Sequence, residues 1–247
     1  MESGTLVWWM LLRWIVVHSM IKLLLTIGLV GWCCFAAGQF AIVVDGDGFA
    51  YVRDAAGTVT DTVDSGQVVY GLGTEEGWTA VDYRCDGQTS SGYIHRSRLK
   101  FIDTFDEVPP IVLADTAIRF RSTSLKLTVT SVPFDPEANR LEYRSAGSGD
   151  HAFRYLATVN ENIIWGTDGN VPSRQYGKMR LEWLGKVIDL SAENLFEPNL
   201  LDTRVYVDTY HETVYVTALN SDGAGGYAIL WVVHGDQLKD RVITRPF

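Results

Sequence analysis

From Phe40 onward, apolar residues recur with a period of two rather than 3.6, in short runs of Val, Ile, Tyr, Phe and Thr. Clusters of Gly, Asp, Asn and Ser punctuate the runs, which is the pattern of strands joined by turns. It predicts strands over 40–44, 49–53, 67–72, 77–83, 91–95 and 99–102. A second series is predicted over 117–121, 125–132, 140–144, 152–158, 162–166, 179–184, 187–190, 204–209, 213–219, 226–234 and 240–245. Only 110–116 and 191–197 have the composition for a helical turn or two. Strands do not alternate with helices, so a parallel α/β sheet is excluded and the chain reads as all-β. Between the two series stands Asp106-Glu107-Val108-Pro109-Pro110. Neither proline can donate to a sheet ladder, so residues 106–114 are predicted to be a linker. The expected organisation is a first β module over 39–105 and a second β-rich domain over 115–247.

Residues 1–38 follow a different pattern. Positions 23–38 carry no charge, follow Lys22, and end in Ala36-Ala37-Gly38. A basic start, a short apolar stretch and a small-residue exit make a secretory signal peptide, with cleavage expected after Gly38. Met20 offers a compact alternative start to Met1. A bilayer span takes about 20 apolar residues. A retained anchor is therefore the rival reading, and the membrane is a partner only if the segment stays uncleaved. The expected location is periplasmic or secreted. After cleavage Cys85 is the sole cysteine, and no intramolecular disulfide can form.

Four elements of the first module form an ordered set. Tyr51-Val52-Arg53 comes early, then Gly66-Gln67-Val68-Val69, then Gly77-Trp78-Thr79-Ala80-Val81, and last Gly92-Tyr93-Ile94-His95-Arg96-Ser97-Arg98-Leu99. This order resembles the bacterial SH3-like domain family, whose closing element reads G-[WY]-[IV]-H-x-S-x-L. Tyr51 stands where the family commonly has Asn. The resemblance covers about a quarter of the chain and implies a half-open β-barrel that recognises peptidoglycan stem peptide or another envelope protein. Trp78, Val81, Tyr93 and Ile94 occupy strand positions suited to filling a small barrel's core. Tyr51 and Tyr83 are the aromatics expected to line a surface groove, and Tyr51, Tyr83, Trp78 and Tyr93 together are the candidate ligand-binding residues. Residues 87–91 are expected to form the tip between the last long strands. The second domain resembles a C-terminal region that follows SH3-like domains in some secreted bacterial proteins, and its strands suggest an antiparallel β-sandwich. Three strings within it stand out: Ile164–Gly169, Phe196–Leu200 and Leu219–Tyr227. Tyr206 and Tyr215 each sit between valines. Alternation puts Tyr and Val on opposite faces, giving either a solvent-facing aromatic surface or a sheet buried on both sides.

Composition and charge narrow the chemistry. Residues 39–247 hold 19 basic and 29 acidic groups, and that acidity argues against a nucleic-acid partner. An acidic surface could also steer onto a basic enzyme, so a periplasmic inhibitor or immunity protein is the alternative function. A wall peptidase needs a Cys thiolate at a helix start, and Cys85 lies near a hairpin. Ala146-Gly147-Ser148-Gly149-Asp150-His151 lacks the nucleophile-elbow spacing. His211-Glu212 has no second His at helical spacing, and in Asp45-Gly46-Asp47-Gly48 an apolar Phe49 stands where a calcium loop needs oxygen. Asp168, Glu197 and Asp222 could in principle pair across a cleft, but each sits in a turn-rich string where acids stabilise turns. No catalytic, cofactor or metal-ligating residue is assigned, and a non-enzymatic exported protein is expected.

Overall fold

The computed structural model describes residues 38–246 apart from Asp222. The signal-peptide expectation for 1–38 lies, Gly38 aside, outside the described residues. The fold is all-β, and Gly38–Phe247 forms a single compact unit.

Seven strands make one antiparallel sheet: β1 (Gln39–Val43), β2 (Phe49–Arg53), β3 (Val59–Asp64), β4 (Val68–Glu75), β5 (Trp78–Cys85), β6 (Gln88–His95) and β7 (Leu99–Phe101). Their order is β3-β2-β6-β5-β4-β1-β7. The sheet curls into a half-barrel whose inner face buries Ala41, Val43, Val52, Val69, Val81, Ile94 and Phe101. Two hairpins close through two-residue turns, Glu76-Gly77 and Asp86-Gly87, with both residues at positive φ. That backbone twist matches the twist of paired strands. Residues 88–91 belong to β6, so the tip expected at 87–91 contracts to Asp86-Gly87.

The remaining strands build a sandwich and a small flanking sheet. They are β8 (Asp106–Glu107), β9 (Pro110–Ala114), β10 (Ala117–Arg121), β11 (Leu125–Pro133), β12 (Leu141–Ala146), β13 (Phe153–Val159), β14 (Asn162–Ile163), β15 (Arg174–Trp183), β16 (Lys186–Asp189), β17 (Thr203–Asp208), β18 (Thr213–Asn220), β19 (Tyr227–His234) and β20 (Gln237–Thr244). One five-stranded sheet runs β16-β15-β11-β10-β9 and the other β20-β19-β18-β17-β8, while β12-β13-β14 stand apart. Ile118, Leu127, Leu181 and Trp183 of the first sheet pack against Val205, Val216, Ile229 and Trp231 of the second.

The sandwich and the half-barrel share a further core. In β19, Tyr227, Ile229, Trp231 and Val233 point into the sandwich, while Ala228, Leu230 and Val232 point the other way. There they meet Phe40, Val68, Tyr70 and Ile102 from the outer face of the half-barrel, with Tyr215 of β18. The result is three sheet layers with β18 and β19 in the middle. Of the two readings of the Val–Tyr alternation, the sheet buried on both sides holds: Tyr215 is buried and Tyr206 half-buried against the half-barrel. A buried Val or Leu side chain is worth roughly 1.5–3 kcal/mol relative to exposure. Several of them exceed the reserve of a small isolated barrel, about 5 kcal/mol.

Two expectations change. Residues 106–114 do not form a free linker. β8 pairs with β17, Val108 donates its N–H to the Val205 carbonyl at 2.9 Å and joins the sandwich core, and β9 pairs with β10. Pro110 opens β9 at the sheet edge, a place where its missing N–H costs nothing. Neither segment expected to be helical is so: 110–114 is strand, and 191–197 is an irregular loop bridged to Trp165 and Gln175.

Candidate functional site

The half-barrel carries a groove of about 970 Å³ between two hairpin tips. One tip is the turn after β2. Asp54 Oδ1 accepts from the Ala56 and Thr58 amides at 2.9 Å, and Arg53 Nη1 donates to the Gly57 carbonyl at 2.6 Å. These bonds fix the turn before any ligand arrives. The other tip carries Thr74, Glu75 and Glu76, and the floor between them is Trp78, Ala80 and Tyr93. The Arg53 guanidinium lies 5.6 Å from the Trp78 ring centroid, within cation–π range. Leu72, exposed on β4, adds an apolar wall. The groove thus combines an aromatic floor with three carboxylates and one guanidinium at its rim.

The closing string has a physical reading, residue by residue. A Cβ at Gly92 would come within 2.3 Å of Val52 Cγ1 and 3.0 Å of the Arg53 carbonyl oxygen, so only glycine lets β2 approach there. Tyr93 faces the groove while Ile94 fills the barrel. The His95 ring meets Trp78 edge-on at 5.2 Å, and its Nδ1 lies 2.7 Å from Ser97 Oγ, which orients the imidazole. Arg98 pairs at 2.7 Å with the buried carboxylate of Asp45, and Leu99 is core. The Asp45–Gly48 string is a turn in which Asp45 Oδ1 accepts the Asp47 amide.

The four candidate binding residues separate. Trp78 and Tyr93 come together in the groove floor. Neither fills the barrel as expected: Trp78 is half-buried at the strand's first position, and Tyr93 is 38% exposed. Val81 and Ile94 do fill it. Tyr83 is 6% exposed, so it belongs to the core rather than a surface groove. Its hydroxyl donates to Asp61 Oδ2 at 2.9 Å, and burial followed by that carboxylate pushes its pKa up to about 12. Tyr51 is 52% exposed, packs edge-on against Phe49, and does not line the groove. Sequence reasoning missed Asp54, Leu72, Glu75 and Glu76. The signal was present in Glu76-Gly77, a hairpin turn that places acids directly before the Trp78 strand.

Asp61 also governs Cys85. The Thr62 amide and the Tyr83 hydroxyl hold the Asp61 carboxyl below its usual range. Its hydrogen bond with Cys85, assisted by burial, pushes the thiol up and keeps it protonated. This is the reverse of a nucleophilic cysteine.

The three strings of the second domain converge at one end of the sandwich. The Phe196 amide donates to the Trp165 carbonyl at 2.9 Å, and the Tyr227 hydroxyl donates to the Phe196 carbonyl at 3.0 Å. A Cβ at Gly166 would sit 2.2 Å from that carbonyl oxygen, and one at Gly225 would sit 2.8 Å from Asp168 Oδ1. Fully buried Asn220 accepts from the Tyr176 hydroxyl at 3.0 Å and the Asn199 amide at 2.8 Å. The Glu197 carboxylate takes the amide and hydroxyl of Ser173. These groups lock loops together, and Asp222 lies outside the described residues. His211 Nδ1 lies 2.7 Å from Asp208 Oδ2. Among the described residues, no three His, Cys, Asp or Glu side chains group as a metal site would need.

No protein-family model, curated protein or solved structure matches this chain.

Proposed function

We propose that this chain is a non-enzymatic exported protein of the cell envelope. In this reading the half-barrel is an SH3-like recognition module that holds an amine-bearing peptide, a peptidoglycan stem peptide or a segment of an envelope protein. The observation that carries it is the groove over Trp78 and Tyr93 with Asp54, Glu75 and Glu76 at its rim. Aromatic faces give large rigid contact area for an extended peptide backbone. Rim carboxylates attract ammonium groups, and that attraction weakens as salt screens it. The turn bonds of Arg53 and Asp54 reduce the ordering cost of binding. Export rests on the signal-like pattern of 1–38. The upward shift of the Cys85 thiol argues against that residue as a nucleophile.

Co-sedimentation of residues 38–247 with purified peptidoglycan sacculi tests the wall-peptide form. Binding is expected at low salt, lost in Trp78→Ala, and reduced by Glu75→Gln with Glu76→Gln. Protein that stays in the supernatant at low salt rules out the wall as ligand. Equal retention of Trp78→Ala and wild type places binding elsewhere than the groove.

A further inference from the structure

Where the half-barrel meets the sandwich, the shared core does not close completely. A cleft of about 520 Å³ opens between β1 and the 65–68 segment on one side and β17 to β20 on the other. Its floor is apolar: Val68, Phe105, Tyr215 and Val232 line it, and each belongs to the shared core or packs on it. A concave, largely apolar space with a few polar groups at its edge is the usual form of a small-molecule site. It shares no residue with the groove over Trp78 and Tyr93.

The charges around the cleft are unevenly matched. Asp208 is buried, accepts the His211 amide at 3.2 Å and lies 2.7 Å from His211 Nδ1. Asp240 accepts the Arg241 amide at 2.7 Å and lies 3.7 Å from the Arg84 guanidinium. Both carboxylates therefore have partners. The two lysines of the cleft, Lys100 and Lys239, form no ion pair among the described residues. Lys100 Nζ stands 3.8 Å from the Phe105 ring centroid, which holds the ammonium over an apolar wall, and its attraction to Asp208 acts at longer range. Lys239 reaches the cleft through an irregularity of β20. Val232 pairs with Asp240 and Val233 with Leu238, so Lys239 is an extra residue in the ladder. Regular alternation would send Lys239 and Asp240 to opposite faces, whereas with the bulge both line the cleft.

We propose that this cleft binds a small single-chain amphiphile with a carboxylate head, its apolar body lying on Val68, Phe105, Tyr215 and Val232 and its head met by Lys100 and Lys239. Charge decides the head. A carboxylate finds two ammonium groups that have no counter-ion of their own, while a cationic head would have to draw Asp208 from His211 or Asp240 from Arg84. The floor decides the body, since only an apolar chain gains by displacing water from it. The site goes beyond the peptide-groove reading and stands or falls separately from it.

Decanoate is the probe, titrated into the compact unit 38–247 by calorimetry and followed by backbone amide shifts in NMR. One molecule per chain should bind with a dissociation constant of about 0.1 mM, in keeping with a ligand of this size. The amides of 213–215 and 232 should shift, and those of 78 and 93 should not. Decylammonium, of equal length and opposite charge, should bind at least tenfold more weakly, and so should butanoate, which has the head without the body. Lys100→Gln with Lys239→Gln should weaken decanoate about tenfold, as two partly exposed ion pairs are lost. Lys239→Gln alone, which disturbs no packing on Phe105, should weaken it about threefold, and Lys186→Gln, outside the cleft, should leave it unchanged. The proposal is overturned if decanoate shows no saturable binding, if decylammonium or butanoate binds as well, or if both lysine variants keep wild-type affinity. It is equally overturned if the shifts fall at 78 and 93, since the ligand then occupies the other groove.

Discussion

Leu230 is the sharpest place to test whether the half-barrel and the sandwich are one folding unit. It is fully buried in β19, and it points away from the sandwich core into the layer shared with Phe40, Val68 and Tyr70. Leu230→Ala removes the packing of the lost methyl groups and leaves a cavity between two sheets. Sheets held by backbone ladders on both sides cannot collapse far into it, so about 3 kcal/mol is expected, within the range for buried Leu→Ala changes. For a unit of about 200 residues each kcal/mol lowers the Tm by roughly 2–4 °C, a fall of about 6–12 °C. Size alone does not distinguish one unit from two. The discriminating readout is amide exchange in the half-barrel strand 50–52 and the sandwich strand 214–216. If the shared core couples them, both segments lose protection by the same factor, on the order of a hundredfold. Half-barrel amides that keep wild-type protection while those of 214–216 lose theirs would refute the coupling.

Two further outcomes follow from single positions. Gly92→Ala must push Val52 or the Arg53 carbonyl aside, and the overpacking should lower the denaturant midpoint by about 1–3 kcal/mol equivalent without changing the slope; an unchanged midpoint would mean the β2–β6 approach is looser than the structure has it. Burial disfavours the Asp208 carboxylate, but the hydrogen bonds and charge of His211 outweigh burial and hold its pKa below the usual value, so its stabilising contribution is present above the unfolded pKa and lost as pH falls through the lowered one. Asp208→Asn should therefore be less stable than wild type at pH 7, with the gap starting to close below about pH 4 and closing fully only below the lowered pKa; a gap that persists in acid would assign the loss to packing instead.

How much was legible in the sequence follows from which face each strand buries. β19 reads as an apolar run and is a strand with both faces covered. β3 was missed because its Val-Thr-Asp-Thr-Val-Asp looks like turn composition, and at the sheet edge only Val63 reaches the core. β9 was misread as a possible helical turn because nothing in Ile-Val-Leu-Ala alternates; both faces are exposed, so no burial imposed a period. Of the Gly92-to-Leu99 string, Tyr93 lines the same groove as Trp78, and His95 packs on Trp78. The division between core and groove follows from alternation: Trp78 and Tyr83, five residues apart in β5, lie on opposite faces, with Thr79, Val81 and Tyr83 buried and Trp78 and Ala80 lining the groove. The three strings of the second domain were distinctive because their backbones touch, which forces glycine and asparagine without any ligand.

The shared layer also sets an order of events. The half-barrel is made first, with Phe40, Val68, Tyr70 and Ile102 on its outer face, but the strands that cover them, β18 and β19, lie more than a hundred residues later. Until those strands emerge, the early half carries an uncovered greasy patch, the kind of surface that draws chaperones or other nascent chains. A chain interrupted anywhere between Glu107 and Thr213 would thus hold the complete groove over Trp78 and Tyr93 while the outer face of the half-barrel stays uncovered. Quality control at the last strands would then decide whether the first ones are ever put to use.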